Sequence, residues 1–254
     1  MREIRLWTAP LEGHAAGQTL DLNEAESHHF GTVLRGREGD EVILMDGLGF
    51  EAEAQCVVKE KRRISFFLQS LQKTPAGPTL RLLGPIPKSK RFPTMLEKLQ
   101  ELGLTSYAPL ATEHSVREDY SDSVREKSVE RLQEACKQSR SPWMMSLLSA
   151  QSLDEMLTNQ ASQSFETSKA APLGLVQNTI VLDVGGSSIW DFPVYGGGPI
   201  QLMFGPEAGW SEAERGHFRH LGLRTLGLSA NHLRMETAAI LGAGFVLEWM
   251  NRKN

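Results

Sequence analysis

Cysteine is almost absent: the 254 residues hold only Cys56 and Cys136. The two lie far apart and outside any CxxC or Cys/His spacing, so neither a disulfide framework nor a zinc site is expected. Each is expected as a buried thiol, which favours a cytoplasmic location. No apolar run approaches the roughly 20 residues that a membrane-spanning helix needs. The opening "MREIRLWTAP" lacks the apolar centre of a secretory signal. Basic excess is missing too. The formal charge is −4, so composition alone does not mark a nucleic-acid binder, although phosphate binding depends on where the charges sit. Several motifs are likewise absent: the phosphate-cradling P-loop, the HExxH zinc site and the GxSxG nucleophile turn. "GAGFVL" (Gly242 to Leu247) has two of the three glycines of a dinucleotide fingerprint, inside a predicted helix where they would permit close packing. His28 and His29 are adjacent and point in different directions on a regular element, so no metal site is expected.

What is present is an ordinary globular mixture, 40% hydrophobic and 23% charged, long enough for one large domain or two modest ones. Up to about Leu71 the chain reads as short strands, "REIRLWT", "DEVILMD", "FEAEAQCVV" and "RISFFLQS", separated by glycine turns. One short helix is predicted over "EAESHHFGTVL". Such spacing predicts a small β-barrel over residues 1–73. "KTPAGPT" supplies the linker, taken as residues 74–79. In residues 80–254 strands alternate with helices, which predicts an α/β domain with a mostly parallel sheet. "NQASQSFETSKAAPLGL" reads as a polar loop.

The chemistry concentrates in three loops that follow predicted strands: "LDVGGSS", "FGPEAGW" and "GLSANHLRMETA". In the second, Ser211 and Glu214 have the spacing of a capping box at the start of a helix. Loops at the carboxyl ends of parallel strands hold small ligands. Backbone N–H and C=O groups there can read an adenine edge without charged side chains, which suits a nucleoside cofactor lacking phosphates.

Five ordered stretches carry a resemblance: "HHFGTVLRGREGDEVILMDGLG", "EKLQELGL", "EACKQSR", "GPEAGWSEAE" and "LSANHLRMETA". Across nearly the whole chain they resemble the RsmE family of ribosomal RNA methyltransferases. The resemblance implies methylation of a uridine N3 in small-subunit (16S) ribosomal RNA with S-adenosylmethionine. It also implies a PUA-like barrel, a SPOUT-type α/β domain with a C-terminal trefoil knot, and a homodimer that acts on ribosomal RNA or the small ribosomal subunit. Four positions depart from the family pattern. Ala208 and Ser229 replace glycines, Asn231 replaces an arginine and His232 an isoleucine, so a slightly reshaped cofactor pocket is expected.

Site expectations follow from these motifs. Gly205, Pro206, Gly209, Leu228, Ser229 and Leu233 are expected to bind the cofactor, with core packing the competing role for the two leucines. Arg234 is expected to stabilise negative charge on the uracil oxygens, or else to pair with Glu236 or a partner subunit. Glu207 is expected to orient the cofactor or anchor Arg234 rather than to take a proton. Thr237 and Ala238 are expected to open the last helix rather than touch substrate. Arg35 and Arg37 of the barrel, Lys88, Lys90 and Arg91 after the first strand of the α/β domain, and Arg140 are candidate RNA contacts, with solvated surface as their other reading. "KEKRR" is expected as a solvated turn. The alternatives are a SPOUT enzyme acting on another RNA position and a non-catalytic RNA-binding ribosome-assembly factor.

Overall fold

The structure, a computed structural model, describes residues 3–60, 63–87, 91–115, 120–158 and 178–252. The polar stretch from Asn159 to Leu175, Lys88, Lys90 and part of "KEKRR" lie outside the described residues. Two compact units are formed, one from residues 1–77 with 133–144, the other from residues 78–132 with 145–254.

In the first unit, strands β1 (Arg5–Trp7), β2 (Thr19–Asp21), β3 (Glu41–Met45), β4 (Phe50–Lys59), β5 (Ile64–Leu68) and β6 (Gln72–Lys73) make one mixed sheet in the order β1-β3-β4-β5-β2, with β6 against the start of β4. Only β1 and β3 run parallel. The sequence of β4 shows why it forms. Ala52, Ala54 and Cys56 are buried while Glu53 and Val57 face out, the period of two of a half-buried strand. A bulge between Cys56 and Val58 ends that alternation. The short helix α1 (Glu24–His28) is capped by Asn23, whose side chain accepts from Glu26 N at 2.9 Å, and it continues as a wider π turn through Val33. Phe30 from that turn meets Phe66 edge-on at 5.2 Å in the core. β2 and β6 were not legible: each is too short to show a period.

Residues 133–144 belong to this unit although they follow the linker in sequence. Trp143 Nε1 donates to Thr74 O at 3.1 Å, and Gly49 N donates to Pro142 O at 2.9 Å. Lys137, buried, pairs with Glu26 at 2.9 Å and with Glu134. Burial alone would push its ammonium down, and the two carboxylates more than offset that, so its pKa is raised.

The second unit is built on seven strands, all paired in parallel: β7 (Leu80–Gly84), β8 (Ser106–Ala111), β9 (Ser146–Leu147), β10 (Gln151–Ser152), β11 (Thr179–Ser187), β12 (Ile200–Phe204) and β13 (Arg224–Leu226). Their order is β10-β8-β7-β12-β11-β13, with β9 beside β8. The helices are α2 (Arg91–Glu101), α3 (Asp122–Ser139), α4 (Leu153–Thr158), α5 (Glu212–His220) and α6 (Met235–Asn251), and the last turns of α3 count with the first unit. β12 is buried at every position, as a strand covered on both faces must be. One face presents Leu83, Val181 and Met203 to Phe218 of α5 and to Leu153 and Met156 of α4. On the other lies α6, which also packs on α2. A Cβ on Gly242 would sit 2.6 Å from the Leu182 side chain, whereas Gly244 has nothing within 4 Å. The expected close packing therefore belongs to Gly242 alone.

Both cysteines are free and buried. Burial raises the Cys56 thiol and pushes Cys136 up to about 12. Since the thiolate is the reactive form, native protein at pH 8 is expected to resist iodoacetamide at both positions. Mass spectrometry should find both alkylated only after unfolding.

Candidate functional site

The carboxyl ends of β11, β12 and β13 open on a cleft of about 270 Å³, close to the lower end, ~300 Å³, of ordinary small-molecule sites. Each of the three expected loops supplies one wall. From the first come Leu182, Asp183 and Val184, and from the second come Phe204 to Trp210 with Arg215 of α5. The third gives Leu226, Leu228, Ser229, Asn231, His232 and Leu233, followed by Met235 and Ala238 of α6.

The first and third loops cross at a distance that only glycine permits. Leu226 is paired with Leu182 and again with Ser187, so residues 183–186 bulge out of the sheet and return to the same neighbour. A Cβ on Gly227 would lie 2.5 Å from Gly186 O, and one on Gly186 would lie 2.6 Å from Gly227 N. Gly227 N donates to Ser187 O at 3.0 Å, which fixes the crossing.

The second loop is held from three sides. Trp210 is buried, donates through Nε1 to Leu182 O at 2.8 Å and stands edge-on to Phe218 at 5.0 Å. Gly209 adopts φ +76°, which closes the turn whose amide bonds back to Pro206 O. The expected capping box is present, with Glu214 N donating to Ser211 Oγ at 3.1 Å and Ser211 N to Glu214 Oε2 at 2.7 Å. The other Glu214 oxygen accepts from Glu113 N at 2.9 Å, beyond the end of β8. His114 Nδ1 lies 3.2 Å from Gly209 O.

Asp183 and Arg215 make a two-pronged ion pair across the cleft wall, with Nε to Oδ2 at 2.8 Å and Nη2 to Oδ1 at 3.0 Å. Asp183 holds the guanidinium pKa above its ordinary value. Neither residue was singled out in the sequence, since an aspartate after a strand and an arginine in a helix carry no motif.

Gly205, Pro206, Gly209, Leu228, Ser229 and Leu233 all line the cleft, as does Glu207, which is exposed. Arg234 does not line it; exposed, it is the N-cap residue of α6. Glu236 pairs with Arg91 at 3.5 Å, not with Arg234. Ala238 opens α6 as expected and also reaches the cleft wall, because it lies one turn beyond Arg234. Arg35 and Arg37 are exposed, and Arg35 takes a left-handed φ of +56°. Arg140 is exposed with φ +57° and lies 3.6 Å from Glu3. Lys88 falls outside the described residues.

A parallel-strand cleft walled by three main-chain loops, in a chain that also carries a separate mixed-sheet unit, is the arrangement of a two-module α/β enzyme with a small-molecule site. Residues 75–246 match the model of the RNA methyltransferase domain and residues 22–68 that of the RNA methyltransferase PUA domain, so the chain belongs to the RNA methyltransferase family. It is 26% identical over 227 residues to the ribosomal RNA small subunit methyltransferase E of Bacillus subtilis, covering 87% of each chain. Against the protein of the same name from Mycobacterium bovis it is 26% identical over 240 residues, covering 91% of this chain and 86% of that one. Among solved structures it is similar to a methyltransferase of Legionella pneumophila in complex with bound SAM, with a TM-score of 0.80, 25% identity and 98% of each chain covered. The Neisseria gonorrhoeae ribosomal RNA small subunit methyltransferase E, bound to S-adenosyl methionine, shares the fold at a TM-score of 0.80 with 23% identity and 95% of each chain covered. The resemblance carried by the five sequence motifs is thereby met.

Removing the Glu214 carboxylate strands two backbone N–H groups. Glu214→Ala is expected to cost about 2–4 kcal/mol of unfolding free energy, to be read from urea denaturation.

Proposed function

We propose that this chain methylates N3 of a uridine in small-subunit ribosomal RNA, with S-adenosylmethionine as methyl donor. The observation that carries this is the three-loop cleft at the carboxyl ends of β11, β12 and β13, pinched by the Gly186–Gly227 crossing. Its walls suit an adenosine. Leu226, Leu228 and Leu233 are apolar, and the tight turns leave main-chain polar groups to read the base edge. When bound, the sulfonium supplies an activated methyl group. The protein then has to align N3 with it, let a proton leave, and stabilise charge that spreads to O2 and O4.

Arg234 is assigned to that charge from outside the cleft, where no hydrogen bond engages its side chain among the described residues. Glu207 lines the cleft and is assigned an orienting role. The crossing of residues 186 and 227 supports a knotted path for the chain. Val184, Trp190 and Val194 are exposed, apolar surface that fits a homodimer. Arg35, Arg37, Lys88, Arg91 and Arg140 are assigned to RNA phosphates, and a cytoplasmic location accompanies that substrate. Arg91 would serve RNA while held by Glu236. The departures Ser229, Asn231 and His232 all line the cleft, which favours as second reading an enzyme of this class acting on another RNA position.

Calorimetry with S-adenosylmethionine is expected to show one site, and absence of binding would favour an assembly factor without catalysis. Mass mapping of ribosomal RNA from a deletion strain should lack one small-subunit N3-methyluridine, restored with the gene; a different missing methyl rejects the substrate. Arg234→Ala should lower kcat on the order of 10²-fold while cofactor affinity stays within error, since Arg234 lies off the cleft wall.

A further inference from the structure

The first unit holds a cavity of about 530 Å³, and every residue of its lining belongs to that unit. The lining carries Arg5, Lys137 and Arg140 against Glu3 and Glu134. The three cations are not held alike. Lys137 is buried and pairs with Glu26 at 2.9 Å and with Glu134. Arg5 has a sheltered partner in Glu51 and adds Glu3 at 2.8 Å. Arg140 has Glu3 alone among the described residues, at 3.6 Å. Both arginines bring Nε toward the same atom, Oε1 of Glu3. The Arg5 hydrogen bond, with the charge of Arg140 behind it, holds the Glu3 carboxyl below the ordinary glutamate range. Guanidinium groups converging on one anionic oxygen are also how arginines take hold of a phosphate. The backbone adds a second observation. Arg140 follows Ser139, the last residue of α3, and takes φ +57°, the left-handed position that glycine usually fills after a helix. Arg35, directly after Leu34 of the cavity wall, takes φ +56°. Among the described residues these two are the only non-glycine residues with positive φ. An L-residue held there is strained, and strain retained at two arginines beside one cavity calls for a functional reason.

We infer that this cavity takes one unpaired nucleotide of the substrate RNA, whose phosphodiester displaces the Glu3 carboxylate from Arg5 and Arg140. The inference rests on the proposed reading of RNA as substrate. Glu3 holds the place of the phosphate in the free protein and leaves when the RNA arrives. The exchange is neutral in charge, since one singly negative group replaces another. Glu3 is the carboxylate free to leave: its side chain is 40% exposed and precedes β1, whereas that of Glu51 is 12% exposed. Arg5 therefore stays oriented by Glu51 while Glu3 swings out, and Arg140 is released to make a paired contact with the phosphate. The volume exceeds what a phosphate fills and lies within the ~300–1,000 Å³ of ordinary small-molecule sites. His29 and Gln138 are also in the lining, and they supply an aromatic ring on which a base can stack and an amide that can meet its edge.

The test measures binding of a fluorescein-labelled single-stranded RNA decamer by the full chain over a range of salt concentrations. Arg140→Gly relieves the left-handed turn, so its urea midpoint should not fall below that of wild type. Its affinity for the decamer should nevertheless drop roughly tenfold, and its salt slope should lessen by about 0.7. A role confined to the fold would move stability the other way. Glu3→Gln should bind the decamer about threefold more tightly. Glu12→Gln, the same loss of charge at an exposed residue outside the cavity, should bind it as wild type does. The gain from Glu3→Gln should shrink in the Arg140→Gly background, because the two residues share the displaced contact. Inorganic phosphate should compete far more weakly than unlabelled decamer; equal competition makes the occupant a free anion and overturns the nucleotide. Decamer affinity that follows neither Glu3 nor Arg140 overturns the cavity as an RNA site, even where wild type methylates small ribosomal subunits. A wild type that methylates no uridine N3, while decamer binding follows the expected pattern, overturns the proposed activity and upholds the cavity.

Discussion

The crossing of Gly186 over Gly227 is the constraint on which the cleft depends. Two main chains meet there with no room for a single methyl group on either residue. That contact holds the first and third loops at fixed separation, and the hydrogen bond from Gly227 N to Ser187 O locks it. Side chains cannot substitute for it, since interiors are packed near crystal density and a displaced backbone has nowhere to go. The crossing thus fixes the spacing of two cleft walls from just behind their lining residues.

The second loop is positioned by a different device. Trp210 links it to the end of β11 through its indole N–H, and Glu214 links its following helix to the main chain beyond β8. Both anchors are buried, so each bond is made away from competing water and losing either would strand a polar group. Strands at opposite sides of the sheet are in this way coupled to one wall of the site. Asp183 and Arg215 add a salt link between the first wall and the second.

The sequence exposed these features unevenly. Long periodic segments were legible: β4 by its alternation, α3 by its apolar spacing, β12 by its largely apolar run, and α5 by the Ser211–Glu214 box. The three cleft loops were legible because turn residues follow strands there. The two-residue strands β6, β9 and β10 were not, because a period needs more residues than they have. The addition of residues 133–144 to the first unit was also hidden, since nothing local in "QEACKQSRSPWM" says which sheet its tryptophan will meet. Asp183, Arg215 and the Arg91–Glu236 pair escaped for the same reason: an ion pair is a fact of three dimensions, with partners far apart in sequence. Ala238 was legible as part of a helix but not as cleft wall, because which face of a first turn meets a neighbouring loop depends on tertiary packing.

The charge of the cleft discriminates among nucleoside ligands. Its described lining carries two carboxylates, Asp183 and Glu207, against one guanidinium, Arg215. Arg215 cannot serve a phosphate without giving up Asp183, and that exchange would leave a partly buried carboxylate unpaired. Asn231 stands where the motif places an arginine, which removes a second cation from the same wall. On the proposed reading phosphorylated nucleosides would be disfavoured by the very walls whose leucines would accept their adenine. On the proposed reading a sulfonium would bring positive charge to the same place, where the Glu207 carboxylate lines the wall. On that reading the apolar walls would favour the base, and the unpaired carboxylate the charge of what is attached to it.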